Sequence, residues 1–223
     1  MSPRPRTVHD DAILDAAVQV LSRIGPEKMT LADVGGEVGL SAATLVQRFG
    51  SKRELMLSVL KYAMLDLDTR FEASVASNES PLDALFAVAT ERPGGSAGNV
   101  SLSNRLSFYL LQIEDPEFRE VALANSQRAI AGFKRLLDAS IEANELAVVY
   151  TDTAQLAETI YSMMVGAMVT WSVANEGAFK SKMRRDLDLL LRPFRRGPRK
   201  ASGSSSDRTS KPAEAMAAQT ILA

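Results

Sequence analysis

The stretch Thr30–Lys52, TLADVGGEVGLSAATLVQRFGSK, constrains the fold more than any other, because its helix starts and stops leave only Gly39, Leu40 and Ser41 between two helices. Thr30 is a good N-cap with Asp33 as a short-armed capping-box partner, and Leu31, Val34 and Val38 follow at helical spacing, which predicts a helix over 31–38. Gly39 can take the left-handed conformation that stops this helix, and Ser41 can cap the next. So short a turn holds its two helices at a steep angle. In the second of them Leu45 and Phe49 are four apart and face inward, which leaves Ala42, Ala43, Val46 and Gln47 on the outer side. Gly50 ends it, and Ser51 with Glu54 forms an S-x-x-E capping box that opens a further helix.

An amphipathic helix precedes this unit. It begins at Asp10 or Asp11 and ends at Gly25 before Pro26, and its apolar stripe is Ile13, Ala16, Ala17, Val20, Leu21 and Ile24. Val34, Val38, Leu45, Phe49 and Leu55 supply a facing surface, so residues 10–60 can close a small three-helix core. Gly35 and Gly36 should each cost the second helix about 1 kcal/mol relative to Ala. Two readings stay open for them: close backbone approach, to the first helix or to a phosphate, or a weak helix held by packing.

A helix ending in glycine, then M-T-L-A-D-V-G, G-L-S, T-L-V-Q-R-F and S-K-R-E-L, resembles the N-terminal DNA-binding domain of the TetR family of transcriptional regulators over Ile13–Val59. The resemblance implies an all-α fold, with an N-terminal helix-turn-helix three-helix domain followed by a C-terminal helical domain for ligand binding and dimerisation. It implies a homodimer whose third helices enter the major groove of a palindromic double-stranded DNA operator. Thr30 and Lys52 would touch phosphates at the starts of helices two and four, where each also serves as a cap or surface residue. Gln47 is the candidate for a base edge, because an amide can pair bidentately with adenine, while Ser41 and Thr44 can reach phosphates or bases. Family members carry Gly-Thr/Ala-Leu-Tyr-x-His-Phe where this chain has Ala43–Phe49. Val46 therefore stands at the family tyrosine and offers only apolar contact, and Arg48 stands at the histidine and adds charge. The expected DNA-binding set is Thr30, Ser41, Ala42, Ala43, Thr44, Val46, Gln47, Arg48 and Lys52. The arm Ser2–Arg6 either places Arg4 and Arg6 in an adjacent minor groove or is a disordered terminus.

Composition removes other function classes. The chain's 26 basic against 27 acidic residues give no overall nucleic-acid signature, so any basic surface must be local. With no Cys there are no disulfides, thiolate metal sites or cysteine nucleophiles, in agreement with a reducing cytoplasm. His9 is the sole histidine, so a Ser-His-Asp triad or a multi-histidine zinc site cannot be built in one chain unless His9 does the work. The expectation is a protein that is not an enzyme, with no cofactor, no metal and no catalytic residue. MSPRPR leads into a helix carrying Asp10, Asp11 and Asp15 and not into the apolar core of a signal peptide. The apolar run Ile160–Trp171 falls well short of the roughly 20 residues that span a bilayer, so a cytoplasmic protein with no membrane partner is expected.

The remainder reads as helices. Ser51 to Ala76 forms one, Ser80-Pro81 caps another that stops before Arg92, and Arg92–Asn99 is a Gly-rich connection without a phosphate-loop pattern. Leu102–Ile113 follows, then a long helix from Asp115-Pro116 to Ala143 closed by Asn144 as a left-handed cap. Asp152 with Gln155 opens the next, which from Leu156 to Ala174 is apolar almost all round and needs burial on every side. With Ala178–Phe194 it suggests a four-helix dimer interface, from Tyr161, Val165, Gly166, Val169, Leu187, Leu190, Leu191 and Phe194. Asn104, Phe108, Tyr109, Gln112, Met163, Met164, Met168 and Trp171 are candidates to line a cavity for a lipophilic or aromatic effector, and the same residue types suit ordinary core. The division expected is a basic arm at 1–9, a DNA-binding domain at 10–60, an effector and dimerisation domain at 61–195 and a disordered tail at 196–223. The expected function is a repressor released from its operator by a small molecule. The alternative is a helical ligand-binding or scaffold protein that has lost operator recognition.

Overall fold

A computed structural model describes residues 8–90, 99–147, 152–174 and 176–196, and over these the chain is all-α. The arm with Arg4 and Arg6, the Gly-rich connection up to residue 98 and the tail from residue 197 lie outside the described residues. The elements are α1 (Asp10–Lys28), α2 (Leu31–Val38), α3 (Ala42–Phe49), α4 (Lys52–Ser77), α5 (Pro81–Thr90), α6 (Asn99–Glu114), α7 (Pro116–Glu142), α8 (Thr153–Ala174) and α9 (Phe179–Leu191). The last expected helix does not run to Phe194. It tightens into a 3-10 turn over Arg192–Phe194, where Pro193 has no N–H to continue the α ladder.

Local chemistry accounts for the ends. Gly25 breaks α1 at φ 82°, and Asn144 takes φ 62° after α7 in glycine's place. Asp115 caps α7, its Oδ1 accepting from the N–H groups of Glu117 (3.0 Å) and Phe118 (3.4 Å). The short-armed box at α2 closes both ways, with Thr30 Oγ1 accepting from the Asp33 N–H and Asp33 Oδ2 accepting from the Thr30 N–H. At α4 the expected box is only half made. Ser51 Oγ accepts from the Glu54 N–H at 3.1 Å, while the Glu54 carboxylate accepts from Arg53 Nη1 at 3.2 Å.

The two glycines of α2 divide between the open readings. Gly39 is left-handed at φ 70°, and the Leu40 N–H returns to the Gly35 carbonyl at 2.8 Å, folding the turn back over α2. A Cβ on Gly35 would stand 2.4 Å from the Leu40 carbonyl oxygen, so Gly35 does serve a close approach. The approach is to the protein's own turn, not to helix one or a phosphate. Gly36 is exposed and a Cβ there would meet nothing within 4 Å.

Two apolar clusters organise the described residues. The first gathers Ile13, Ala17 and Val20 of α1, Val34 of α2, Leu45 of α3 and Leu55 of α4. It is not closed by residues 10–60 alone: Phe118 of α7 is fully buried in it, and Phe108 and Leu111 of α6 pack against it. The second joins α4, α5, α7, α8 and α9 through Phe71, Leu85, Phe133, Leu137, Ile160 and Leu187. Gly132 lets α7 cross α4 closely, since a Cβ there would lie 2.5 Å from the Phe71 ring. The clusters are tied together by polar contacts as well. Arg53, at the start of α4, grips Asp115 with two nitrogens at 2.8–3.0 Å, reaches Glu117 at 2.9 Å and lies 5.4 Å over the Phe118 ring. Asn104 of α6 donates to the Ser22 carbonyl of α1 at 3.0 Å.

Candidate nucleic-acid interface and effector cavity

The recognition surface follows from how α3 is held. Leu45 is fully buried against α1 and α4 and Phe49 packs behind it, so a helix of two turns must show its other side to solvent. Ala43, Val46 and Gln47 are exposed there, Val46 at 49%. Ala42 is half-buried, in partial departure from its expected outer position, because it lies at the first turn beside the α2–α3 corner. Ser41 Oγ accepts from the Thr44 N–H at 3.1 Å and lies 2.9 Å from Thr44 Oγ1, so both hydroxyls are engaged at the start of α3. The Thr30 hydroxyl is likewise committed, donating to Asp33 Oδ2 at 2.7 Å. These bonds hold the Asp33 carboxyl below the usual carboxylate range.

The two expected cations point elsewhere than at open solvent. Arg48 Nη1 donates to the Val8 carbonyl at 2.7 Å and Nε lies 3.4 Å from Asp10, so its charge is spent on the start of α1. Lys52 Nζ donates to the Glu27 carbonyl at 2.9 Å, at the negative end of α1.

The expected cavity residues are only partly brought together. Tyr109, Met164 and Met168 line a cavity of about 280 Å³ whose walls come from α4 to α9, among them Leu67, Val88, Phe133 and Met183. Asn104 and Phe108 do not join it. They line a separate cleft of about 430 Å³ between α1, α4 and α6, because the Asn104 amide is drawn to Ser22 and the Phe108 ring meets Phe118 edge-on at 6.3 Å. Gln112 is outside the lining. Trp171 is buried edge-on to Phe179 at 5.8 Å, and Met163 packs on the second cluster. Sequence reasoning missed Arg70, Asn125 and Tyr161 as lining residues, whereas Arg105, polar on the same helix as Asn104 and a candidate to orient a ligand, is among them. The Asn125 amide donates to the Leu60 carbonyl at 3.0 Å, which leaves its Oδ1 buried without a protein donor. Burial, followed by its contact with Tyr109, pushes the Tyr161 phenol up to about 12.

The expected dimer set also divides. Leu187 and Leu191 are fully buried in the second cluster, so they cannot meet another subunit; the apolar stripe of α9 is satisfied within the chain. Leu190 and Phe194 pack partly against the same cluster, and Tyr161 and Val165 face the cavity. What α8 leaves outward is Gly166, Val169 and Val173, the last 83% exposed, and α9 adds Leu189 at 63%. Val173 carries no signal in the sequence beyond an apolar type on a helix that is apolar almost all round, and Leu189 lies off the buried stripe of Met183, Leu187 and Leu191 on the charged helix α9.

Residues 13–59 match the family model for bacterial regulatory proteins, tetR family. The chain is similar to the HTH-type transcriptional regulator BetI of Agrobacterium fabrum, at 24% identity over 151 residues that cover 67% of this chain and 73% of the relative. It is also similar to BetI of Brucella anthropi, at 22% identity over 52% of this chain and 60% of that one. Among solved structures, a transcriptional regulator from Saccharomonospora viridis in complex with choline superposes with a TM-score of 0.65 at 18% identity, covering 82% of this chain and 94% of that one. The Bacillus subtilis regulator FadR in complex with stearoyl-CoA does so at 0.59 and 17% identity, over 82% and 98%.

Proposed function

From the premise that the chain is a TetR-family transcriptional regulator, we propose that it is a repressor which two copies of α3 hold on a palindromic operator and which a small lipophilic or aromatic molecule releases. The observation that carries the DNA half is the outward face of α3. Ala43, Val46 and Gln47 are exposed on a helix fixed from behind by Leu45, and the hydroxyls of Ser41 and Thr44 cluster at its N-terminal end. Such a face fits the major groove, with Gln47 reading a base edge and Val46 supplying apolar contact to a thymine methyl. Thr30, Lys52 and Arg48 would take phosphates, the two cations by exchanging the carbonyls of Glu27 and Val8 for phosphate oxygens. Residues 10–60 are the reading head in this proposal, and residues 61–195 carry the cavity and the dimer contact.

The dimer is built through the outward strip of α8 with Leu189 of α9, setting two recognition helices about 34 Å apart. The cavity supports the ligand half, as do fold neighbours bound to choline and to stearoyl-CoA. Leu67 and Arg70 of α4 line the cavity, while the first turn of the same helix grips Asp115 and Glu117 through Arg53. Ligand entry that shifts α4 thus moves the reading head, and a ligand that prefers the wider or narrower spacing depopulates the DNA-competent state. A cytoplasmic setting accords with this role.

A gel-shift titration of the purified chain against its own upstream DNA tests the reading. The expected result is a complex that resists competitor DNA and is lost on Gln47→Ala; equal binding to random DNA refutes it. The second reading, a helical ligand-binding protein without operator recognition, draws on the internal engagement of Arg48 and Lys52. It predicts DNA binding no tighter on the upstream sequence than on random DNA, or none.

A further inference from the structure

Asn104 of α6 stands against the one break in α1. Ser22 is buried in α1, and the residue four further on, whose N–H the helical ladder would return to the Ser22 carbonyl, is Pro26, which has none. The Asn104 amide supplies a donor to that carbonyl at 3.0 Å. Its Oδ1 lies against Gly25, where a Cβ would stand 2.8 Å from it, and Gly25 holds φ 82° and ψ 165°, a conformation open essentially to glycine alone. The break and the side chain that fills it are thus fitted to each other from both sides. We propose that Asn104 is a positioning residue for DNA recognition: by completing the broken end of α1 it fixes the angle of the reading head on α6, and it passes shifts of α6 at the cavity wall into that head. This rests on the proposed roles of residues 10–60 as reading head and of the cavity as effector site.

The two faces of α6 make it a carrier for such a shift. Phe108 and Leu111 pack on the first cluster, Phe108 edge-on to Phe118 at 6.3 Å, and Asn104, four residues before Phe108, shares their face. Arg105 and Tyr109, also four apart, line the cavity from the adjoining face. Over so few turns a helix moves as a rigid rod, so displacing one face displaces the other. The cleft of about 430 Å³ between α1, α4 and α6 leaves room for that movement, and Asn104 borders it with Ser22. Arg53 ties α4 to the start of α7; the Asn104 bond is a separate tie, from α6 to α1. Without it a buried carbonyl loses its donor, so one net hydrogen bond favours the latched arrangement by about three- to tenfold. Two half-sites must be met by two heads at once, and operator affinity falls with the fraction of molecules so arranged.

The test uses the full chain, in which the absence of cysteine lets spin labels be placed singly or in pairs. Asn104→Leu keeps the branching of the side chain and removes the donor, and Asn104→Ala removes both. By fluorescence anisotropy each variant should bind the chain's own upstream DNA about three- to tenfold more weakly than wild type, and random DNA within about twofold of it. Labels at Gly36→Cys, exposed on α2, and Glu142→Cys, exposed at the end of α7, read the head-to-body distance by double electron–electron resonance, with labelled chain diluted into excess unlabelled chain. That distance should broaden or shift in both variants while the body pair Glu142→Cys with Lys180→Cys keeps its wild-type value, a pattern that lost stability alone does not produce. Wild-type protein gives a reading that needs no substitution at the site: upstream DNA should slow hydrogen exchange of the Asn104 side-chain amide, followed by nuclear magnetic resonance, because DNA and the latch favour the same arrangement. Upstream binding equal to wild type, an unchanged head-to-body distance, or an exchange rate indifferent to DNA each overturns the inference and leaves the operator reading standing. A wild-type chain with no preference for upstream over random DNA takes down both.

Discussion

Gly35→Ala and Gly36→Ala place the same methyl group on adjacent residues of α2, and the structure assigns them opposite signs. Both replacements gain helix propensity of about 0.8–1.0 kcal/mol. At Gly36 that gain is unopposed, because the site is exposed and nothing lies within 4 Å of the new Cβ. At Gly35 the methyl would stand 2.4 Å from the Leu40 carbonyl oxygen and 3.3 Å from its carbon. That obstacle is backbone, fixed by the 2.8 Å bond from the Leu40 N–H to the Gly35 carbonyl and by left-handed Gly39, so no side chain can swing aside. Overpacking of this kind costs about 1–3 kcal/mol, and against a backbone atom the upper half of the range applies, leaving Gly35→Ala destabilised by about 1–2 kcal/mol net. With Tm moving about 2–4 °C per kcal/mol at this chain length, Gly35→Ala should melt roughly 2–8 °C below wild type and Gly36→Ala up to about 4 °C above it. Differential scanning calorimetry at one protein concentration reads both. Operator binding should weaken in Gly35→Ala, because opening the turn re-aims α3. A Gly35→Ala protein that melts at or above wild type would show that the turn yields without cost, and the account of why glycine stands there would be wrong.

Other perturbations probe the remaining parts. Gln47→Ala should cost about 1–3 kcal/mol of specific operator affinity if its amide reads one base, with little change on random DNA, measured by fluorescence anisotropy on both. Asp115→Asn keeps an N-cap for α7 but discards the ion pair with Arg53, whose guanidinium holds the Asp115 carboxyl below the usual range. Because that folded-state pKa is depressed, the contribution is present above the unfolded value and lost as pH falls through the folded one. The melting difference between wild type and Asp115→Asn should therefore hold steady near neutrality and close below about pH 3.9; a gap that widens in acid contradicts it. Val173→Asp and Leu189→Asp should yield monomers by light scattering with unchanged far-ultraviolet circular dichroism, whereas Leu187→Asp, in a fully buried position, should lose the helical signal itself.

What the sequence made legible was the local chemistry. Thr30, Ser41, Asp115, Asn144 and Asp152 each act over a few residues, and the helices start and stop at or beside them. Contacts between distant helices were not legible. Asn104 read as a ligand-orienting polar group because its sequence neighbours cannot reveal that Ser22, on α1, claims the amide. Leu187 and Leu191 read as dimer contacts because an apolar stripe states that it must be covered and not by which chain. Arg70, Asn125 and Met183 became lining residues only when α4, α7 and α9 converged on one space. Phe118, a single aromatic at the start of a long helix, carried no periodic signal, yet it closes the first cluster from the far side.

That closure bears on how weak electrostatics can still give a DNA reader. With Arg48 and Lys52 held by the carbonyls of Val8 and Glu27, DNA in the proposed complex would have to compete for them. If both residues of both subunits each neutralise one phosphate, at roughly −0.9 per phosphate the slope of log K against log salt is about −4. If Arg4 and Arg6 of both arms also engage the minor groove, the slope steepens to about −7. Deleting residues 1–7 and repeating the titration separates the two cases, since the shorter chain must fall back to the shallower slope. A slope near zero in the full chain would sink operator recognition and leave the ligand-binding reading standing. An intermediate affinity with the shallow slope would mean that shape, Gln47 and the pairing of two rigidly held heads do the work that charge does elsewhere. In that case Phe118 and the Arg53–Asp115 grip matter as much as the recognition helix, because they fix the angle at which each head is presented.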